Sequence, residues 1–277
     1  MDLTLLWMAL LGLGVGAYGT IIGAGGGFVL VPLLLMFFPD YGPEQVTAIS
    51  LAVVWANATS GSLAYARTRR IDYVTGMLFA AASVPGVIAG ALVVQYVPER
   101  LFSIMFGVLL LAIVGLLATR RDATSIREPL AAQSGVLLRN VTMEKGVTYR
   151  YAYRIWQGVV LSLIVGFASS LFGIGGGVIN VPAMIVLFHI PVSLAVATSQ
   201  FVLAFMAGGG TIVHLANGTL SGDALRQAIA LGAGAVIGAQ AGAAISHRLS
   251  SRVVLQMLVL ALVLLSGRLL LKGVFDV

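Results

Sequence analysis

Residues 19–32 read GTIIGAGGGFVLVP, and residues 169–182 read SSLFGIGGGVINVP. The two stretches stand 150 residues apart in a chain of 277. A glycine in a helix interior costs about 1 kcal/mol relative to alanine. Three in a row, twice, inside apolar sequence, therefore read as backbone breaks. Each break is followed by about eleven apolar residues, roughly 16 Å of helix or half a hydrocarbon layer. Pro32 and Pro182 are expected in the first turn of the following helix, where no amide hydrogen is needed. Paired interruptions at matching places in two halves point to a carrier's binding region.

The rest of the chain fits that reading. It is 59% hydrophobic and 9% charged, with a mean hydropathy of +1.03, whereas soluble domains carry about 25% charged residues. Apolar segments run over 3–22, 28–38, 45–66, 73–96 and 101–119, then 155–172, 178–188, 191–216, 224–246 and 253–271. The fold class is an all-α polytopic membrane protein: two homologous helical halves with broken or re-entrant glycine-box segments, 8 to 10 hydrophobic segments in all. A β-barrel would alternate in stretches of about ten residues instead. The net charge of +6 sits at segment ends, as the positive-inside rule requires, and does not imply nucleic acid. The chain has no cysteine, so thiol chemistry is excluded. With Asp2 and no basic leader, the first apolar segment reads as a membrane span rather than a signal peptide.

The organisation is a first membrane repeat over 1–119, a basic linker over 120–154 and a second repeat over 155–277. Ser50 matches Ser199, Gly61 matches Gly210, Tyr65 matches His214, and Ala89-Gly90-Ala91 matches Ala241-Gly242-Ala243. Two topologies follow. If each box is the tip of a hairpin followed by three spans, the halves are inverted. If box and flanks form one broken span, there are eight spans and the halves are parallel. The basic residues place the linker in the cytoplasm under either topology. The polar stretch PDYGPEQ at 39–45 needs water and favours inversion. Around 144–146 the linker alternates like a short hairpin, and a solvated linker fits as well.

No acidic residue lies inside an apolar segment, and no Lys or Arg lies clearly in the middle of one. A carboxylate-based cation pump therefore has no parts here, because intramembrane charges mark such pathways. What remains are neutral donors. Gly25, Gly26, Gly27, Gly175, Gly176 and Gly177 precede helix starts, whose free amides and dipole suit an anion. The bland alternative is that they only allow close helix packing. Ser50, Asn57, Asn180, Ser199 and Gln200 complete the candidate substrate contacts, each also a natural helix–helix hydrogen bonder. Asn180 has Leu30 at its matching place, so the site is asymmetric. His214, the only histidine deep in a span, is a candidate for proton coupling. Three scattered histidines argue against a metal site, and no cofactor is expected. Ser199 and His214 lie about 22 Å apart along one helix, which excludes a hydrolytic dyad, so no catalytic residue is expected. Glycine stripes at 86–90 and 234–242 fit close helix contact, inside the bundle or across a homodimer.

The paired boxes GAGGGFVLVP and GIGGGVINVP, with Ala197-Thr198-Ser199-Gln200 and the basic linker, resemble the TauE/SafE sulfite-exporter family over essentially the whole chain. The resemblance implies an inner-membrane permease moving sulfite, sulfonates, sulfoacetate or related small anions, commonly outward. The span count it implies favours the parallel, eight-span arrangement. The first-half match to Thr198-Ser199-Gln200 is Ile49-Ser50-Leu51, which lacks the carboxamide. An exporter working by alternating access is the leading expectation. An anion channel or a permease for small carboxylates are the alternatives. No nucleotide-binding P-loop is present.

Overall fold

The computed structural model describes residues 3–119, 135–142 and 148–275. Among these residues ten α-helices and one β-hairpin appear in the order α1 (Leu3–Ile22), α2 (Gly27–Phe37), α3 (Pro43–Arg67), α4 (Tyr73–Val93), α5 (Glu99–Ala118), β1 (Val136–Thr142), β2 (Thr148–Arg154), α6 (Ile155–Phe172), α7 (Gly177–Val186), α8 (Val192–Ala216), α9 (Gly222–Ser246) and α10 (Ser251–Phe275). Eight of them are long and apolar enough to cross a membrane, and α2 and α7 are the short exceptions. Outward-facing Leu10, Ile164, Ile229 and Leu264 are exposed, as lipid-facing side chains must be. The linker's alternation is a real hairpin: β1 and β2 pair antiparallel from Val136 opposite Arg154 to Thr142 opposite Thr148.

Helix starts follow local rules. Pro43 opens α3 at a position without an acceptor for an amide. Asp72 caps α4 by accepting from the amides of Val74 and Thr75. The boxes start α2 and α7 one turn earlier than the prolines suggested. Pro32 and Pro182 lie inside their helices, not in the first turn. The residues that begin those helices are left-handed Gly26 (φ 85°) and Gly176 (φ 87°), a conformation natural only to glycine.

The chain turns back at each box. A side chain on Gly26 would collide with Val15, eleven residues earlier, and one on Gly176 would meet Val165. At the open end of the first hairpin, Trp7 and Phe37 pack edge to face at 5.1 Å. At the second, Tyr153 and Phe188 lie 4.9 Å apart. Each half is thus a hairpin followed by three long helices, and the halves run in opposite directions. The broken-span, parallel arrangement is overturned. The helix neighbours agree: Asn57 and Ser60 of α3 bond in register to Ala235 and Gln240 of α9, which only parallel helices permit.

The halves interleave. Gly234, Gly238 and Gly242 of α9 face Ala9, Leu13 and Ala17 of α1, so closely that a methyl on Gly234 would lie 1.8 Å from the Ala9 carbonyl. In the pair related by the twofold pseudo-symmetry, Gly86 and Gly90 of α4 face Leu163 and Phe167 of α6. Helices α5 and α10 run antiparallel across the halves, joined by the Lys272–Glu99 ion pair at 2.7 Å. Both glycine stripes are therefore used inside the bundle. Pseudo-symmetry relates the groups α1–α3–α9 and α6–α8–α4, each drawing helices from both repeats and joined to the other along α3 and α8.

Candidate functional site

The two boxes meet. A Cβ on Gly27 would lie 2.6 Å from the Gly173 carbonyl oxygen, and one on Gly177 would lie 2.5 Å from the Gly23 carbonyl oxygen. Their turns repeat almost degree for degree. Gly23, Gly25 and Gly26 have φ of 75°, 73° and 85°, and Gly173, Gly175 and Gly176 have 69°, 71° and 87°. The turn amide of Ala24 bonds to the Gly19 carbonyl, and that of Ile174 to the Ser169 carbonyl. Beyond the turns, the amides of Gly26, Gly27 and Phe28, and those of Gly176, Gly177 and Val178, find no carbonyl acceptor among the described residues. They are the free donors that a helix start leaves, buried on both sides of a contact between the halves.

Ser50 and Ser199 hold this contact together. The Ser50 hydroxyl donates to the Gly173 carbonyl at 2.6 Å, and the Ser199 hydroxyl donates to the Gly23 carbonyl at 3.0 Å. Each serine reaches from a long helix of one half to the box turn of the other. Val54 of α3 and Leu203 of α8, themselves matched residues, press on the Cα atoms of Gly25 and Gly175. With Leu51, Ala58 and Ala207 they form an apolar cluster of their own. In this conformation the boxes are covered by apolar side chains.

The remaining sequence-predicted residues divide between the two sides of the contact. On the first side, Asn57 is saturated. Its Nδ2 donates to the carbonyls of Gly16 at 2.9 Å and Ala235 at 3.3 Å, and its Oδ1 accepts from Thr20 and Gln200. Gln200 Nε2 also reaches Thr20 Oγ1 at 3.1 Å, while Gln200 Oε1 is unpartnered. The Tyr65 hydroxyl donates to the Thr20 carbonyl at 2.9 Å. On the second side, Met206 occupies the place matching Asn57, and Asn180 Nδ2 has only its sulfur, at 3.8 Å. Asn180 Oδ1, Ser169 Oγ, Ser170 Oγ and both ring nitrogens of His214 are buried without partners. Among the described residues no three His, Asp or Glu side chains converge on a metal position.

A second polar cluster lies at the end of the bundle that carries the β-hairpin, and sequence reasoning missed it. Asp72 stands at the end of an apolar segment, yet its side chain is fully buried. Arg139 of β1 grips it with two bonds, at 2.7 and 3.1 Å, Thr75 donates at 2.6 Å, and the Tyr151 hydroxyl donates as well. Tyr153 bonds Thr75 at 3.1 Å and packs on Phe79 and Phe188. The Asp72 amide donates to Thr198 Oγ1 at 3.0 Å, beside Ser199. Burial alone would push the Asp72 carboxyl up, but the bonds from Arg139, Thr75 and Tyr151 outweigh it and hold the group below the usual carboxylate range. The Tyr151 phenol is pushed far up by burial and by its carboxylate neighbour. One signal was present in the sequence: Tyr149, Tyr151 and Tyr153 alternate, so Tyr151 and Tyr153 share a strand face.

Comparison with known proteins follows the same lines. A family model described as sulfite exporter TauE/SafE matches residues 8–270. The probable membrane transporter protein YunE of Bacillus subtilis (strain 168) is 33% identical over 275 residues, covering 97% of this chain and 98% of that protein. A probable membrane transporter protein of Methanocaldococcus jannaschii is 28% identical over 219 residues, 76% of this chain and 73% of that protein. A second Bacillus subtilis protein, the probable membrane transporter YdhB, is 25% identical over 271 residues, 97% of this chain and 99% of that protein. No solved structure matches the chain.

Proposed function

The chain belongs to the sulfite exporter TauE/SafE family of membrane transporters, and from that premise we propose that it exports small sulfur oxyanions, of the sulfite, sulfonate or sulfoacetate kind. One observation carries the reading: two matched helix starts with unpaired, buried amides meet inside a bundle whose long helices carry no charge at their centres. Such amides attract a negative solute without a buried cation to trap it. The solute passes between the boxes when Val54 and Leu203 withdraw. Ser50 and Ser199 keep the two turns in register, and Asn57 and Gln200 brace the first side.

Alternation in this proposal is not one repeat rocking on the other, because the repeats interleave. The moving bodies are α1–α3–α9 and α6–α8–α4, which share the box contact and the packing of α3 on α8 as their common seam. The linker end carries Arg67, Arg69, Arg70, Arg139, Arg150, Arg154, Arg248 and Arg252, against Arg100, Arg226, Arg268 and Lys272 at the opposite end. That bias supports a cytoplasmic linker in an inner membrane. The inside-negative potential then favours anion efflux by about 2.3 kcal/mol per charge per 100 mV.

The test is sulfite flux in proteoliposomes, with a competitor panel of sulfonates and small carboxylates. Gly26→Leu and Gly176→Leu should each abolish flux. Wild-type flux in both would remove the boxes from the pathway. Competition by carboxylates alone would move the substrate class, and single-channel currents would replace the carrier with a channel.

A further inference from the structure

Pseudo-symmetry permits a comparison that neither half allows alone. On the first side of the box contact the polar residues are filled, Ser62 Oγ apart. Thr20, Asn57, Gln200 and Tyr65 satisfy one another or nearby carbonyls, leaving only Gln200 Oε1 over. On the second side the polar residues have almost no protein partners. Asn180 sits one turn above Gly176, its amide bonded to the Gly176 carbonyl at 2.9 Å. Its carboxamide has only the Met206 sulfur as a hydrogen-bond partner, and that sulfur lies 2.9 Å from where a Gly176 Cβ would be. The Ser169 Cβ is 3.3 Å from the same point. Ser170 Oγ lies 2.9 Å from the corresponding point on Gly210, one turn along α8 from Met206. His214 follows one turn further on.

These groups are fully buried. Unpartnered buried donors and acceptors are costly, and native structures hold few of them. Here they form a file that starts at the free amides of α7 and runs along α8 for about 12 Å, away from the linker end. Asn, Ser and His offer N–H and O–H donors but no fixed charge. That set suits an oxyanion shedding water, and it leads from the box toward the end of the bundle opposite the hairpin.

We propose that the anion is held and released on the second side only, with Asn180, Ser169 and Ser170 as its side-chain donors beside the α7 amides and His214 at the outer end of the file. The first side is a permanent brace. This rests on the anion-carrier reading of the boxes and deepens it. Twofold pseudo-symmetry of the fold thus conceals a one-sided site.

The experiment measures sulfite concentration dependence in proteoliposomes of the full chain. Asn180→Leu gives the second side the residue that the first side already carries at Leu30. It should raise the KM for sulfite about tenfold, the loss expected for one hydrogen bond to a charged group. Tyr65→Phe, which removes a hydroxyl from the first side, should leave KM within about twofold. An unchanged KM in Asn180→Leu, or an equal rise in both variants, overturns the one-sided site. If a Gly176→Leu protein that inserts and stays monodisperse still loses flux, the box reading stands without it. Full flux in both Gly26→Leu and Gly176→Leu instead sinks the box reading itself. Should Asn180→Leu fail to insert, Ser170→Ala and Asn180→Ser decide. A KM raised several-fold in either supports the proposal, and wild-type KM in both overturns it.

Discussion

The hydroxyl of Ser50 donates to the carbonyl of Gly173 at 2.6 Å across 123 residues of chain, and Ser199 repeats the bond on Gly23. Each carbonyl belongs to a turn made of positive-φ glycines, buried where water cannot replace the lost donor. Ser50→Ala and Ser199→Ala should each destabilise the protein by about 1–2 kcal/mol. Both serines secure the same seam, so the double variant should depart from additivity by more than about 0.5 kcal/mol. Thermal unfolding in detergent of the two singles and the double measures this, and strict additivity would mean that the turns act independently.

The α1–α9 contact depends on bare glycine. A methyl at Gly238 would lie 2.2 Å from the Leu13 carbonyl oxygen, a backbone atom that cannot step aside. Gly238→Ala should cost about 1–3 kcal/mol, the usual range for overpacking. Gly115, inside α5 with nothing within 4 Å of its Cβ position, is the matched control: Gly115→Ala should be neutral or stabilising by up to about 1 kcal/mol. The yield of monodisperse protein and its unfolding temperature separate the two.

Removing Arg139 would strand a buried carboxylate. Breaking a buried ion pair costs about 3–5 kcal/mol, and Arg139 is itself 24% exposed, so the lower end, about 3 kcal/mol, is expected for Arg139→Met. The visible result should be release of the β-hairpin, read as faster proteolysis between β1 and β2 with the helices still intact. Asp72→Asn should do less harm, since it removes the charge together with the need for its partner.

The same cluster sets an acid limit. The Asp72 carboxyl titrates below its unfolded value when the protein is folded. Its contribution is therefore fully present above the unfolded pKa, about 3.9, and is lost as pH falls through the folded value. Hairpin docking should be flat from neutrality down to about pH 4 and weaken below it. Tyr151→Phe removes one donor to the carboxylate, so its acid transition should move to higher pH. Hydrogen exchange of the hairpin amides as a function of pH measures both.

Much of this molecule is legible in its sequence because glycine is expensive in helices. Gly25-Gly26-Gly27 and Gly175-Gly176-Gly177 announce the breaks, and the short apolar runs after them match α2 and α7 to within a residue or two. The direction taken after each break was not legible. A turn-back and a straight continuation have the same hydropathy, and contacts such as that of Trp7 with Phe37 separate them. Pro32 misled on where α2 begins, since the free amides that open it belong to Gly27 and Phe28. The interleaving was hidden for a different reason. Contact between Ala9 and Gly234 leaves no local trace, and a glycine stripe fits a homodimer as well as a neighbouring helix. Asp72 lies just outside an apolar segment, and nothing in the spacing ties it to Arg139, 67 residues away.

The partnership of α1 with α9 also bears on how such a chain is made. A ribosome completes the first helix roughly 220 residues before its principal neighbour exists, so the small-residue face of α1 must wait in the lipid or beside an insertase during most of synthesis. Neither repeat is a finished object when it leaves the translocon. A gene cut within the linker should yield two fragments that accumulate only when expressed together.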